Sequence, residues 1–409
     1  MKICQKKTLH RVAALLGIMI CLTGCTNPKS TLATQGSESL PATNPAPQSE
    51  TQAENSIHQE PSGSTEPTRI VETVDENFHI DAAVVGYPAD GMVGVYVGEP
   101  IRLTKEEIHS FLEACGTKIT SSKESSTPGS DYYNGICENG AVFFSEQALN
   151  HPYSSFVYRN DEKCQFYHNY PIYNGEEFYL TNAKYTVGWM FTEPKELSFA
   201  TAEEAEQRVR AVLDALGLLD LKLLRTLYCD HETLEAAMQR ITTHEDYAPL
   251  GVKVENNGYP VKEAWTEEDD AYVFSFGFSV QGVPMCYRNY ESGRTAWYTG
   301  SEVVVWYTKD GIVELNITVP WQVGEAETPP ASIVPAQIAL EIAKTKFGYE
   351  LMKRDKRIEE VRLEYHYVQD RDRWLLKPVW AVACSNGYDD TDDRSYSFVH
   401  IDAQTGNEL

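Results

Sequence analysis

Twice in this chain a Thr-x-x-Glu step opens a helical repeat of apolar side chains that a glycine then closes. Thr104 and Glu107 precede Ile108, Phe111, Leu112 and Cys115, with Gly116 behind them; Thr201 and Glu204 precede Ala205, Val209, Val212, Leu213 and Leu216, with Gly217 behind. Such a box satisfies two otherwise orphaned N–H groups, and glycine accepts the left-handed backbone that stops a helix. A third helix is expected after Pro335, a proline-compatible first position, with Ile338, Ile342 and Phe347 on its apolar side and Gly348 at its end. Short helices of this kind, separated by runs of strand-like sequence, predict an α+β chain of tandem small antiparallel sheets, each packed by a helix.

The strand signals are local. Phe78–Val85, Leu221–Tyr228, Tyr272–Val280, Val361–Val368, Leu375–Cys384 and Ser397–Ile401 read as strands, and Val303–Tyr307 and Ile312–Val319 flank the hairpin turn Lys309-Asp310-Gly311. From Ala141 to Phe191, short aromatic runs alternate with turn residues. Residues 120–135 read as a polar loop and Asp230–Thr242 as a helix capped by Asp230. With joints at residue 195 and at the Thr328-Pro329-Pro330 break, the folded sequence divides into an aromatic-rich domain at 70–195, a helix-on-sheet module at 196–325 and a further module at 326–409.

Ahead of these lie a basic stretch (Lys2, Lys6, Lys7, Arg11), about ten apolar residues from Val12 to Cys21, and Leu22-Thr23-Gly24-Cys25. This segment resembles the lipobox of bacterial lipoproteins. The resemblance implies a signal peptide at 1–24, lipid on Cys25, and attachment to the outer face of the cell membrane. Residues 25–69 then form the lipidated cysteine and a linker rich in Ser, Thr, Pro and Gln. Such sequence buries too little to offset ordering entropy, and as a flexible tether it has a reach of roughly 35 Å.

The net charge is −25, with no basic stripe, so nucleic acid and anionic head groups are repelled. No later apolar run reaches the ~18 residues that span a bilayer. Beyond Cys25, six cysteines remain: Cys115, Cys137, Cys164, Cys229, Cys286 and Cys384. Their wide spacing, without a C-x-x-C, favours buried thiols over a zinc ribbon or redox pair and leaves one or two disulfides open.

The closing Leu376-Lys377-Pro378-Val379-Trp380-Ala381-Val382, followed by Phe398–Gly406 with Asp402 and Thr405-Gly406, resembles the end of PepSY-type modules. Phe278–Pro284 with Val303–Val319 is similar to the strand, G-x-P turn and hairpin of YycH- and YycI-type extracytoplasmic regulators. The resemblance covers residues 196–409 and implies a surface lipoprotein of Gram-positive bacteria. Known members act as regulators, protease-associated segments or envelope proteins of unexplained role, so no single activity follows from it.

No G-x-S-x-G, S-x-x-K, phosphate loop, G-x-G-x-x-G or H-E-x-x-H occurs; His231-Glu232 is followed by Glu235 where the last motif needs histidine. Cys164 and His168 would share a metal only on a helix, whereas their surroundings read as extended. The acidic run Asp389, Asp390, Asp392, Asp393 offers hard oxygens for weak calcium binding but lacks the EF-hand glycine and late glutamate. Tyr153, Tyr167, Tyr170, Tyr173 and Trp189 form the candidate ligand platform, which with two of Asp161, Glu162, Glu176 and Glu177 would suit a glycan. The plainer expectation for these aromatics is cross-strand packing. The function expected is therefore binding of an extracytoplasmic protein or peptide without catalysis or cofactor, the alternative being glycan binding or cleavage.

Overall fold

The computed structural model describes residues 68–164, 188–218, 221–243, 264–286, 290–291, 297–298, 300–348, 355–388 and 391–409. Both capping boxes form as expected. Helix α1 (Lys105–Ala114) starts where Thr104 Oγ1 accepts from the Glu107 N–H and the Glu107 carboxylate accepts from the Thr104 N–H. Helix α2 (Ala202–Leu213) repeats the arrangement with Thr201 and Glu204, and runs through a 3-10 turn to Gly217 at φ 69°. Helices α3 (His231–Thr243) and α4 (Ala336–Gly348) complete the set. Strands dominate, so the class is α+β with sheet in the majority.

In chain order the strands are β1 (Arg69–Asp75), β2 (Phe78–Val85), β3 (Met92–Pro100), β4 (Ile119–Ser126), β5 (Ser130–Cys137), β6 (Val142–Ala148), β7 (Ser154–Arg159), β8 (Lys222–Cys229) and β9 (Ala271–Gly277). Then come β10 (Ser279–Val280), β11 (Val283–Pro284), β12 (Tyr290–Glu291), β13 (Trp297–Tyr298), β14 (Glu302–Thr308), β15 (Gly311–Thr318), β16 (Trp321–Ser332), β17 (Lys356–Asp370), β18 (Arg373–Tyr388) and β19 (Thr391–Asp402). Two large sheets result. One is ordered β1-β2-β17-β18-β3-β16, with β19 also on β18; the other is β4-β5-β6-β7-β15-β14-β9-β8.

This pairing corrects the expectation of small tandem sheets. The first sheet is made from both ends of the folded sequence and the second from its middle, so one is inserted into the other. Strand β2 lies parallel to β17, and β3 pairs with both β18 and β16. The joints expected at 195 and 325 are therefore crossed by ladder hydrogen bonds, and every described residue falls in one compact unit. Local signals identify strands but carry no information about which distant strand completes a sheet.

Two further local expectations change. Residues 120–135 form the β4–β5 hairpin around Thr127-Pro128-Gly129-Ser130, with the Thr127 N–H donating to the Ser130 carbonyl at 2.8 Å. Strand β4 is exposed almost throughout, so its sequence carries no apolar alternation to reveal it. Thr328-Pro329-Pro330 lies inside β16, whose pairing with β3 shifts register three times. Prolines are tolerated there because β16 is an edge strand and bulges release the ladder.

One continuous core joins the two sheets with α1, α2 and α4. It takes Tyr272, Phe274, Phe276, Val303 and Val305 from the second sheet and Val361, Leu363, Tyr365 and Trp380 from the first. The opposite face of the second sheet, including Val273, Val304 and Trp306, packs with Leu234 and Ala237 of α3. Both faces are apolar, so β9 and β14 read as continuous hydrophobic runs and not as alternations.

Candidate functional site

Alternation along β17 sends Val361, Leu363 and Tyr365 into the shared core and turns Glu364 and His366 to the other face of the first sheet. That face is buried as well: Glu364 is 0% and His366 1% exposed. His366 Nε2 and Glu364 Oε1 stand 2.7 Å apart, a charge-assisted contact if the ring is protonated. Register across β18 places Val379 beside Glu364 and Ala381 beside His400, all on this face. The His400 and His366 ring centroids are 4.9 Å apart. Burial pushes His400 down to about 3, and the neighbouring His366 adds to the effect, so the His400 imidazole is neutral at ordinary pH.

A cysteine joins them from the far side of β17. Strand β17 accompanies β2 only as far as Arg362, and beyond it the chain after β11 takes over, with Met285 bridging in parallel to Tyr365. Val280-Gln281-Gly282-Val283 directs it there: Gln281 and Gly282 adopt φ of 52° and 82°, the paired left-handed residues of a two-residue hairpin loop. The Cys286 N–H then donates to the Tyr365 carbonyl at 2.8 Å, and its own carbonyl accepts from the Ser301 N–H at 2.9 Å. Met285 lies in the core; Cys286 faces the opposite way, toward Glu364 and His366. The ligand-type atoms of Cys286, Glu364 and His366 all lie within 4.8 Å of one another.

None of these three residues is a sequence candidate. The i, i+2 spacing of Glu364 and His366 was the available signal, since a strand puts both on one face, but Cys286 is too remote in sequence to be connected with them.

The sequence candidates are not gathered into one site. Cys25, Tyr167, Tyr170, Tyr173, His168, Glu176, Glu177, Asp389 and Asp390 lie outside the described residues. Tyr153 is half-buried against the core, and Phe156 and Tyr158, further along the same aromatic run, are buried and meet Phe111 edge-on at 5.5 and 5.4 Å. Trp189 falls in a short 3-10 turn, and Cys164 ends a single helical turn, Asp161–Cys164, where extended chain was expected. Asp392 and Asp393 belong to β19 and not to a loop. Cys115, Cys137, Cys229, Cys286 and Cys384 are outside any disulfide. His231 begins α3, and both its N–H and its ring contact Asp270 Oδ1, tying the helix start to the start of β9.

Strand edges are the other feature with binding potential. Among the described residues the sheet edges are β1, β16 and β19 in one sheet, the last covered at its end by the bridge of Ile401 to Glu408, and β4 and β8 in the other. Strand β16 is blunted by bulges and prolines, β4 is polar and β8 is half-buried. Strand β1 differs: Val71 is 72% and Val74 40% exposed. It is held from within by Arg69 on Asp81 and by Lys344 of α4 on Glu72.

No family model and no curated protein matches the chain. Among solved structures it is similar to an uncharacterised protein from Eubacterium rectale ATCC 33656, determined at 1.45 Å, with a TM-score of 0.62 over 84% of this chain and 93% of that one. At 18% identity the likeness is one of fold.

Proposed function

We propose that this chain is an extracytoplasmic lipoprotein, held to the outer face of the membrane through lipid on Cys25, that binds a protein or peptide segment and does so by accepting it as an extra strand along β1. The observation that supports this reading is the edge itself. Strand β1 closes a large sheet, presents backbone donors and acceptors on its outer side and carries two solvent-facing valines. Strand β1 has no proline and a single register irregularity, between Thr73 and Asp75, and such an edge is the kind that proteins ordinarily blunt unless a partner pairs with it. The PepSY-like and YycH-like character of residues 196–409 fits the same role, as an expectation carried from sequence. A net charge of −25 favours a basic segment as the partner.

The test is a binding comparison on the full chain in detergent micelles. A panel of extended peptides, basic and acidic, is set beside a panel of cell-surface glycans. Retention of basic peptides, weakening with salt, is the expected outcome. Turnover of a glycan, abolished by changing a single carboxylate, would replace this account with a glycosidase.

A further inference from the structure

We propose that Cys286, Glu364 and His366 form a binding site for a divalent transition metal, with zinc as the best-matched ion. The donor set is one thiolate, one imidazole and one carboxylate, a borderline combination that suits zinc and disfavours calcium or magnesium, which take oxygen ligands.

The geometry supports convergence on one point. Tetrahedral zinc holds N, O and S donors at ~2.0–2.3 Å, which places neighbouring donors roughly 3.4–3.6 Å apart. Here His366 Nε2 and Glu364 Oε1 are 2.7 Å apart and all three donors fall within 4.8 Å. The one printed spacing is shorter than the required one and the 4.8 Å limit is longer, so the three donors lie close enough to share one ion once the Glu364–His366 hydrogen bond gives way to it. Adjacent strands supply the donors: Glu364 and His366 share one face of β17, and the parallel bridge at Met285 and Tyr365 puts Cys286 on that face beside them. Both backbone groups of Cys286 are committed, to Tyr365 and Ser301, so the sulfur is carried on a fixed frame.

Burial argues in the same direction. At 0%, 1% and 4% exposure the three residues are sealed from bulk water. The competing reading is a hydrogen-bonded Glu–His pair beside a structural thiol, and the two readings differ in whether the sulfur, within 4.8 Å of both partners, binds metal. This inference is independent of the peptide-binding proposal and of membrane attachment.

The test uses the full chain, purified in detergent without any metal-chelate column. Elemental analysis should find about one zinc per chain. After chelator treatment, titration with Co²⁺ should give tetrahedral d–d absorption and a thiolate-to-cobalt charge-transfer band. C286S should abolish that band, and C286S, E364Q and H366Q should each weaken zinc binding at least tenfold, while C115S leaves both unchanged. A featureless Co²⁺ titration of folded protein that also lacks stoichiometric zinc would overturn the proposal. So would C286S binding zinc as tightly as the parent. If C286S does not fold, the charge-transfer band of the parent and the loss of affinity in E364Q decide the matter.

Discussion

Asp230 concentrates several loads on one carboxylate. It accepts from the Thr233 N–H at 3.1 Å and hydroxyl at 2.6 Å, capping α3, and from Lys195 Nζ at 2.6 Å. Burial pushes its pKa up, but the hydrogen bonds from Lys195 and Thr233 outweigh burial and hold it below the ordinary carboxylate value. A depressed carboxylate stabilises the fold in full above its unfolded pKa, and that contribution disappears as pH falls through the lower folded value. D230A should therefore cost about 1 kcal/mol at neutral pH through loss of the cap, measured by urea unfolding. D230N keeps a capping oxygen and should cost less at pH 7, while flattening the loss of stability below pH 4. An unaltered acid limb in D230N would assign that limb to other carboxylates.

Helix α4 shows how far periodicity carries an argument at the scale of an element. Its position, its start after Pro335 and the three strands that follow it were legible, because apolar spacing and the glycine stop are local. Its buried face was only half legible. The spacing puts Ile338 on the apolar side, yet it is 45% exposed; Ala339, Leu340, Ala343 and Phe347 are the residues that face the core. The helix packs against β17 and β18, with Trp380 Nε1–H donating to the Val334 carbonyl at 2.9 Å, and small alanines permit that close approach. L340A should cost ~2–5 kcal/mol by leaving a cavity, whereas I338A should stay within about 0.5 kcal/mol. Thermal or urea midpoints of the two variants compare them directly. Pro378 falls inside β18, and its tolerance there has a structural reason. It sits where the neighbour of β18 changes from β3, paired through Leu376, to β19, paired from Val379, so its missing N–H interrupts no ladder.

For the whole molecule, the sequence disclosed the parts and concealed their assembly. Capping boxes, the Lys309-Asp310-Gly311 hairpin and most strands were readable from neighbours in the chain, but the nesting of one sheet in the other depends on pairs such as β2 with β17, more than 270 residues apart. The Cys286–Glu364–His366 cluster was hidden for the same reason. Nesting predicts that residues 326–409 expressed alone will show no cooperative unfolding, since β17 and β18 then lack β2 and β3; a two-state transition in that fragment would restore the modular reading. The proposed function belongs to this scale too, because the β1 edge exists only once the two ends of the folded sequence have joined. Its most direct test is a photo-crosslinking residue at position 71, or in a control at position 338, which is also exposed though less so, in the lipoprotein in its native envelope. The account predicts a discrete protein crosslink from position 71 that is absent from position 338 and is lost when Val74 is changed to Lys. Identical products from both positions, or an undiminished crosslink in V74K, would contradict it.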